Sequence, residues 1–250
     1  MRLELRQDVA IVRLEAGRAN AMGTAFLTKL GDLVDAFESG DAKAGVVIGY
    51  EKFFSAGLDL TEVVGYDRDT MRRFMGAFEA VMSRVFACPK PLVAAINGHA
   101  LAGGCVLAVQ ADVRVMTDAP VKIGLNETQL GIGMPAAVVE SARTALPPAS
   151  LQALIAEGRL FSPHEALAAG LVDEVAPAAS LESRALERAA LLASIAGPGY
   201  TQVKAAIRAP ARERMRANAE SELERWLDTW FSDNARAKIS AAATRVRKGA

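Results

Sequence analysis

Apolar and polar positions along the chain alternate between two periods. Residues 3–6 and 9–14 alternate apolar and polar, as strands do, and Gln7-Asp8 between them predicts a hairpin. "TAFLTKLGDLVDAFESG" then carries apolar residues at helical spacing and stops at Gly40. "GVVIGY" reads as a short buried strand, "DTMRRFMGAFEAVMSRVFAC" as a second amphipathic helix, and "PLVAAIN" and "VRVMT" as further strands. Strands separated by helices predict a parallel sheet covered on both faces. After about residue 135 the pattern turns helical in "PAAVVESARTAL", "PPASLQALIAEG" and "SPHEALAAG". Ser162, Pro163 and Glu165 make a capping box there. "LVDEV" is a last strand, and three helices are predicted beyond residue 180: 181–196, 212–233 and 234–249. The expected organisation is an α/β core over residues 1–195 and a helical region over 196–250.

Composition narrows the function. The chain has 250 residues, and its 29 basic residues balance its 29 acidic ones. No basic excess is present to bind nucleic acid or an acidic membrane. The most apolar stretch, "PLVAAINGHALAGGCVLAVQA", is interrupted by Asn97, His99 and glycines, and so reads as strand, loop and buried helix rather than a membrane span. Cys88 and Cys105 form no CxxC pair, and the N-terminus resembles neither a signal nor a transit peptide, so a cytoplasmic protein is expected.

Three stretches could carry chemistry. "FFSAGLDL" (53–60) and "NGHALAGGCVLAV" (97–109) each follow a strand with small residues, where backbone can approach a ligand. N–H groups from two such turns could hold a developing oxyanion. Alternatively, Asp59 marks a helix start and the glycines serve tight packing. In "IGLNETQLGIG" a single carboxylate, Glu127, ends an apolar run. Burial there would raise its pKa toward neutrality, which suits a general base, whereas a solvated or helix-capping Glu127 would not. "GIGMPA" (131–136) imitates a dinucleotide fingerprint but lacks a preceding strand. Ser55 does not stand in a hydrolase elbow, and no His/Cys/Asp cluster has metal-ligand spacing. His164 is expected on the surface. At His99, neighbouring backbone is expected to matter more than the ring. The basic residues Arg212, Arg214, Arg216, Arg245, Arg247 and Lys248 are expected on solvated helix faces.

As an ordered set, "RANAM", "FFSAGLDL", "INGHALAGGC", "IGLNETQLGI" and "GRLFSPHEALAAGLVDEV" resemble the crotonase (enoyl-CoA hydratase/isomerase) superfamily, over nearly the whole chain. "FSAGLDLTE", "IGLNETQLGI" and, more loosely, "FSDNARAKISAAATRVRKG" are most similar to the Δ3,Δ2-enoyl-CoA isomerase branch. The resemblance implies a spiral of ββα turns, with C-terminal helices for trimer assembly and for covering the site. It also implies an acyl-CoA ligand, no separate cofactor, and a homotrimer or hexamer. By position, the Ala56 and Gly103 N–H groups match the family's oxyanion hole. Ala56, Gly57, Leu58, Asp59 and Leu60 match the stretch lining the CoA and acyl path, and Glu127 matches the catalytic glutamate. Arg18 and Lys52 are candidates for the CoA phosphates, and Met134, Val138 and helix 68–88 for the acyl pocket. Hydratases of the family usually carry a second glutamate after the Gly-Gly-Cys, where this chain has Val106. That departure favours isomerisation over hydration. A hydratase, a dienoyl-CoA isomerase, a thioesterase and a non-catalytic acyl-CoA-binding protein stay open as alternatives.

Overall fold

The computed structural model describes residues 1–248; Gly249, at the end of the last predicted helix, and Ala250 lie outside the described residues. The chain opens with the predicted hairpin, β1 (Arg2–Arg6) and β2 (Val9–Arg13), turned at Gln7. There follow α1 (Thr24–Ser39), β3 (Ala44–Ile48), β4 (Phe53–Ser55), α2 (Leu60–Val63) and α3 (Arg68–Ala87). Next come β5 (Leu92–Ile96), β6 (His99–Leu101), α4 (Gly103–Gln110), β7 (Val113–Thr117) and β8 (Ile123–Gly124). The remainder is α5 (Ala136–Ala145), α6 (Pro148–Leu151), β9 (Leu160–Phe161), α7 (Pro163–Ala168), β10 (Glu174–Ala176), α8 (Leu181–Ile195), α9 (Pro198–Trp230) and α10 (Asp233–Lys248). The Ser162–Glu165 capping box is present at α7.

Two sheets are built at once. The larger has the order β1-β2-β3-β5-β7-β10 and is parallel from β2 onward. The smaller has the order β4-β6-β8-β9. Three successive turns of chain, β3-β4-α3, β5-β6-α4 and β7-β8-α5, each give one strand to each sheet and then a helix. This is the spiral of ββα units.

The large sheet is apolar on both faces because both are covered. Side chains alternate across a strand. Val9, Ile11, Val46, Ile48, Val93, Ala95 and Val115 therefore meet one cluster, and Ala10, Val12, Val47, Ala94, Ile96 and Met116 meet another. The first cluster is closed by α8 through Leu181, Ala185, Ala189 and Ala193. These are four residues apart, so they share one helix face, and three of them are alanine, which lets the helix lie close to the sheet. The second cluster takes in α1, α3 and α4, through Phe26, Leu30, Phe74, Phe78, Met82 and Leu107 among others. Each large apolar side chain buried there is worth about 1.5–3 kcal/mol.

The C-terminal helices are tied to this core by polar contacts. Asp112 accepts from Lys204 Nζ at 2.6 Å, Arg208 Nη2 at 2.8 Å and the Leu92 N–H at 2.7 Å. Lys204 and Arg208 are themselves buried, so removing Asp112 would leave two uncompensated charges inside. Arg214 lies on an exposed helix face, as expected, and from there reaches buried Glu140 at 2.6 Å, joining α9 to α5. Thus α9 runs unbroken from Pro198 through Pro210, fourteen residues upstream of the predicted start at 212. Proline costs a helix one hydrogen bond and a clash; the ties at Lys204, Arg208 and Arg214 on either side offset it.

Candidate active site

The small sheet sets the site. Strands β4, β6 and β8 are parallel neighbours of two or three residues, so their C-terminal ends lie side by side. The segments leaving those ends are 56–60, 102–104 and 125–127, which are the three stretches singled out in the sequence. Ala102 N–H donates to Gly124 O at 2.9 Å, fixing the second against the third. His99, expected in a loop, lies in β6, and its ring is structural. The ring Nδ1 accepts the Lys122 N–H at 3.0 Å and holds β8 in register. His164 is exposed, as expected.

The first two turns touch. Gly57 sits at φ +84°, and a Cβ there would come within 2.9 Å of Leu101 O and 3.0 Å of Gly103 N. A Cβ on Gly104 would fall 2.2 Å from Ser55 O. Only glycine permits this approach. Ala102, at φ +49°, turns the chain sharply into α4. The Gly103 N–H belongs to the first turn of α4, where no intrahelical acceptor exists and the helix dipole favours negative charge.

The matching donor is not Ala56. Its N–H is taken by the Ala19 carbonyl at 3.0 Å. Leu58 pairs with Met22 in a parallel bridge, in which Met22 N–H donates to Gly57 O (2.8 Å) and Asp59 N–H donates to Met22 O (3.1 Å). In such a bridge the flanking residues face the partner and the central residue's own N–H points the other way, here away from Met22. Among the described residues the Leu58 N–H meets no acceptor. The match by position therefore falls two residues short of the free amide. Asp59 caps α2, accepting from Thr61 N–H (2.9 Å), Thr61 Oγ1 (2.6 Å) and Glu62 N–H (3.3 Å). Leu60 opens that helix.

Glu127 stands at the third strand end. Its carbonyl accepts from Leu130 N–H (2.9 Å) and Ile132 N–H (3.0 Å), which locks the backbone. Gly131, at φ +80°, closes this turn, so "GIGMPA" is a loop leading to α5 rather than a phosphate cradle. The residue as a whole is partly exposed, but Oε2 is sealed from solvent and has no hydrogen-bond partner among the described residues. Burial pushes the carboxyl pKa up to about 7. The Cys105 thiol, raised first by its own burial, is raised further by the charge of Glu127, which places that carboxylate beside the start of α4. Val106 is buried one residue further along.

The other candidates divide. Val138 is buried in the main core and Met134 packs on it. Arg18 adjoins Ala19 and reaches Val246 O in α10 at 3.1 Å. Lys52 lies at the opposite end of β4 from the turn. Helix α10 crosses the site's shoulders: Lys238 Nζ donates to Gln129 O at 3.0 Å, and Arg247 Nη2 to Thr61 O at 3.4 Å.

Comparison with known proteins agrees with this architecture. The enoyl-CoA hydratase/isomerase family model matches residues 4–244. Human mitochondrial enoyl-CoA delta isomerase 1 is 29% identical over 96% of this chain and 80% of its own length. A probable enoyl-CoA hydratase of Rhizobium meliloti is 31% identical over 82% of the chain and 79% of its own. The crystal structure of human mitochondrial delta3-delta2-enoyl-CoA isomerase superimposes with a TM-score of 0.91 at 29% identity, covering 99% of this chain and 98% of that one. An enoyl-CoA hydratase from Mycobacterium marinum gives 0.83 at 27% identity, covering 90% and 98%. The chain therefore belongs to the enoyl-CoA hydratase/isomerase family and has the crotonase fold.

Proposed function

We propose that the protein isomerises 3-enoyl-CoA to 2-trans-enoyl-CoA. The observation that carries this reading is the Glu127 carboxylate at the ends of the small sheet's strands. Glu127 follows β8, and the two N–H groups that meet no acceptor among the described residues, Leu58 and Gly103, follow the neighbouring strands β4 and β6; one Glu127 oxygen is likewise unpartnered there, and Val106 stands where the family's hydratases carry a second acid. The thioester oxygen accepts from the Leu58 and Gly103 N–H groups. Glu127, ionised, removes a proton from C2, and the electron pair moves into the thioester to give a dienolate. The protonated Glu127 then returns the proton at C4 as the double bond shifts to C2–C3. No atom is gained or lost. A carboxyl with a pKa near 7 is both a competent base and a competent acid in this cycle.

Similarity to the human isomerase supports the same reading, and similarity to hydratases makes hydration the rival. The ligand is an acyl-CoA, and assembly as a homotrimer or a dimer of trimers follows from the family resemblance. The test is a paired assay on purified protein. 3-Hexenoyl-CoA should give conjugated product, and crotonyl-CoA should keep its double bond. Hydration of crotonyl-CoA at a comparable rate would overturn the isomerase reading.

A further inference from the structure

We infer that Asn20 is a positioning residue: it fastens the 54–58 turn so that the Leu58 N–H stays aimed at the substrate thioester oxygen. This rests on the proposed function for the identity of the donor.

The segment 19–22 is held in an unusual conformation. Ala19 lies at φ +58° and Asn20 at φ +50°, two consecutive non-glycine residues in the left-handed region. Such residues persist only where the surroundings over-determine them, and they cluster at functional sites. Here the surroundings are the turn itself. The Asn20 side chain is fully buried and bonded at both ends, with Nδ2 donating to Phe54 O at 3.0 Å and Oδ1 accepting the Ala16 N–H at 2.9 Å. The Asn20 carbonyl accepts from Ser55 Oγ at 2.8 Å, and that same Oγ accepts the Gly57 N–H at 3.2 Å. The Ala19 carbonyl takes the Ala56 N–H, and Met22 takes Gly57 O and the Asp59 N–H.

Phe54, Ser55, Ala56, Gly57 and Asp59 are therefore each tied to this segment or its immediate network, and the Leu58 N–H is left over. The arrangement selects one donor by occupying its neighbours. Asparagine suits the post, because it tolerates left-handed backbone and supplies both a donor and an acceptor.

The test uses Asn20→Gly, which keeps the backbone conformation accessible while deleting both side-chain bonds, with Ser55→Ala as a second variant should the first not fold. The reporter is hexanoyl-CoA labelled with ¹³C at the thioester carbonyl, which cannot isomerise. Its infrared carbonyl band should shift to lower frequency on binding wild type, because hydrogen bonds weaken the C=O bond. In either folded variant the part of that shift due to Leu58 should be lost, the part due to Gly103 remaining, and kcat on 3-hexenoyl-CoA should fall on the order of 10- to 100-fold, as for a misplaced oxyanion donor. KM should stay within about threefold, because the remaining contacts are untouched. Wild-type shift and kcat in a folded variant would overturn the role of Asn20. A wild-type complex with no shift would instead overturn the oxyanion assignment beneath it.

Discussion

Glu127 and Glu79 make an instructive pair. Glu79 is buried and Glu127 partly so; each has one oxygen sealed from solvent with no hydrogen-bond partner among the described residues, and each has its pKa raised to about 7. In both, burial is the main cause; at Glu79 the charge of Glu222 adds to it. By titration alone they are indistinguishable. Their surroundings differ in the groups that could hold a reacting molecule. Glu79 lies in the middle of α3, a helix of 20 residues, where each backbone N–H is already bonded one turn back. The cavity beside it is lined by Arg72, Arg212, Arg216 and Met215 among others, and helices α3, α5 and α9 form its walls. Glu127 lies where three short strands end, near the first turn of α4, and the Leu58 amide belongs to the segment leaving a neighbouring strand of the same sheet. A perturbed carboxylate becomes a candidate base only where donors for the developing charge face the same space.

The largest expected effect separates the two residues by activity. Glu127→Gln removes the proton acceptor and should lower kcat on 3-enoyl-CoA at least ~100-fold. Glu79→Gln should leave kcat within about threefold of wild type. Equal losses in both would show that burial of acids, not the site, governs activity. The smaller effect joins them again. Each carboxyl has its folded pKa above its unfolded value of about 4.5, so ionisation in the folded state destabilises the protein as pH rises from about 4.5 through 7. Glutamine escapes that cost. Urea denaturation at pH 8 should find either variant more stable than wild type by at most about 3 kcal/mol, shrinking to under about 1 kcal/mol at pH 5. A gain that grew toward acid would contradict the assigned shifts.

The two sheets differ in how far the sequence disclosed them. The inner strands β2, β3, β5 and β7 of the large sheet are five-residue, mostly apolar runs buried on both faces, and were legible as such. The small sheet consists of strands of two or three residues, too short to show a period, so β6 reads as loop. Yet that sheet assembles the site. Glu127 was legible because one acid in an apolar run is an expensive choice. Gly103 was legible as a helix start after small residues. The second donor was not, because whether Ala56 or Leu58 presents a free N–H depends on the bridge to Met22, a contact over 36 residues of chain. Asn20 falls within "RANAM" but no role was legible for it, since a single buried asparagine has no periodic signature. Its signal is conformational, a left-handed backbone that only coordinates reveal.

The central claim is that one buried carboxylate moves one proton between two carbons of the same substrate. It is tested most directly by a single turnover of 3-hexenoyl-CoA carrying deuterium at C2, in ordinary water. The account predicts deuterium at C4 of the conjugated product, carried there by Glu127 while its sealed carboxyl is shielded from solvent. Product with hydrogen alone at C4 would mean that the proton comes from water or from a second acid, and would contradict it.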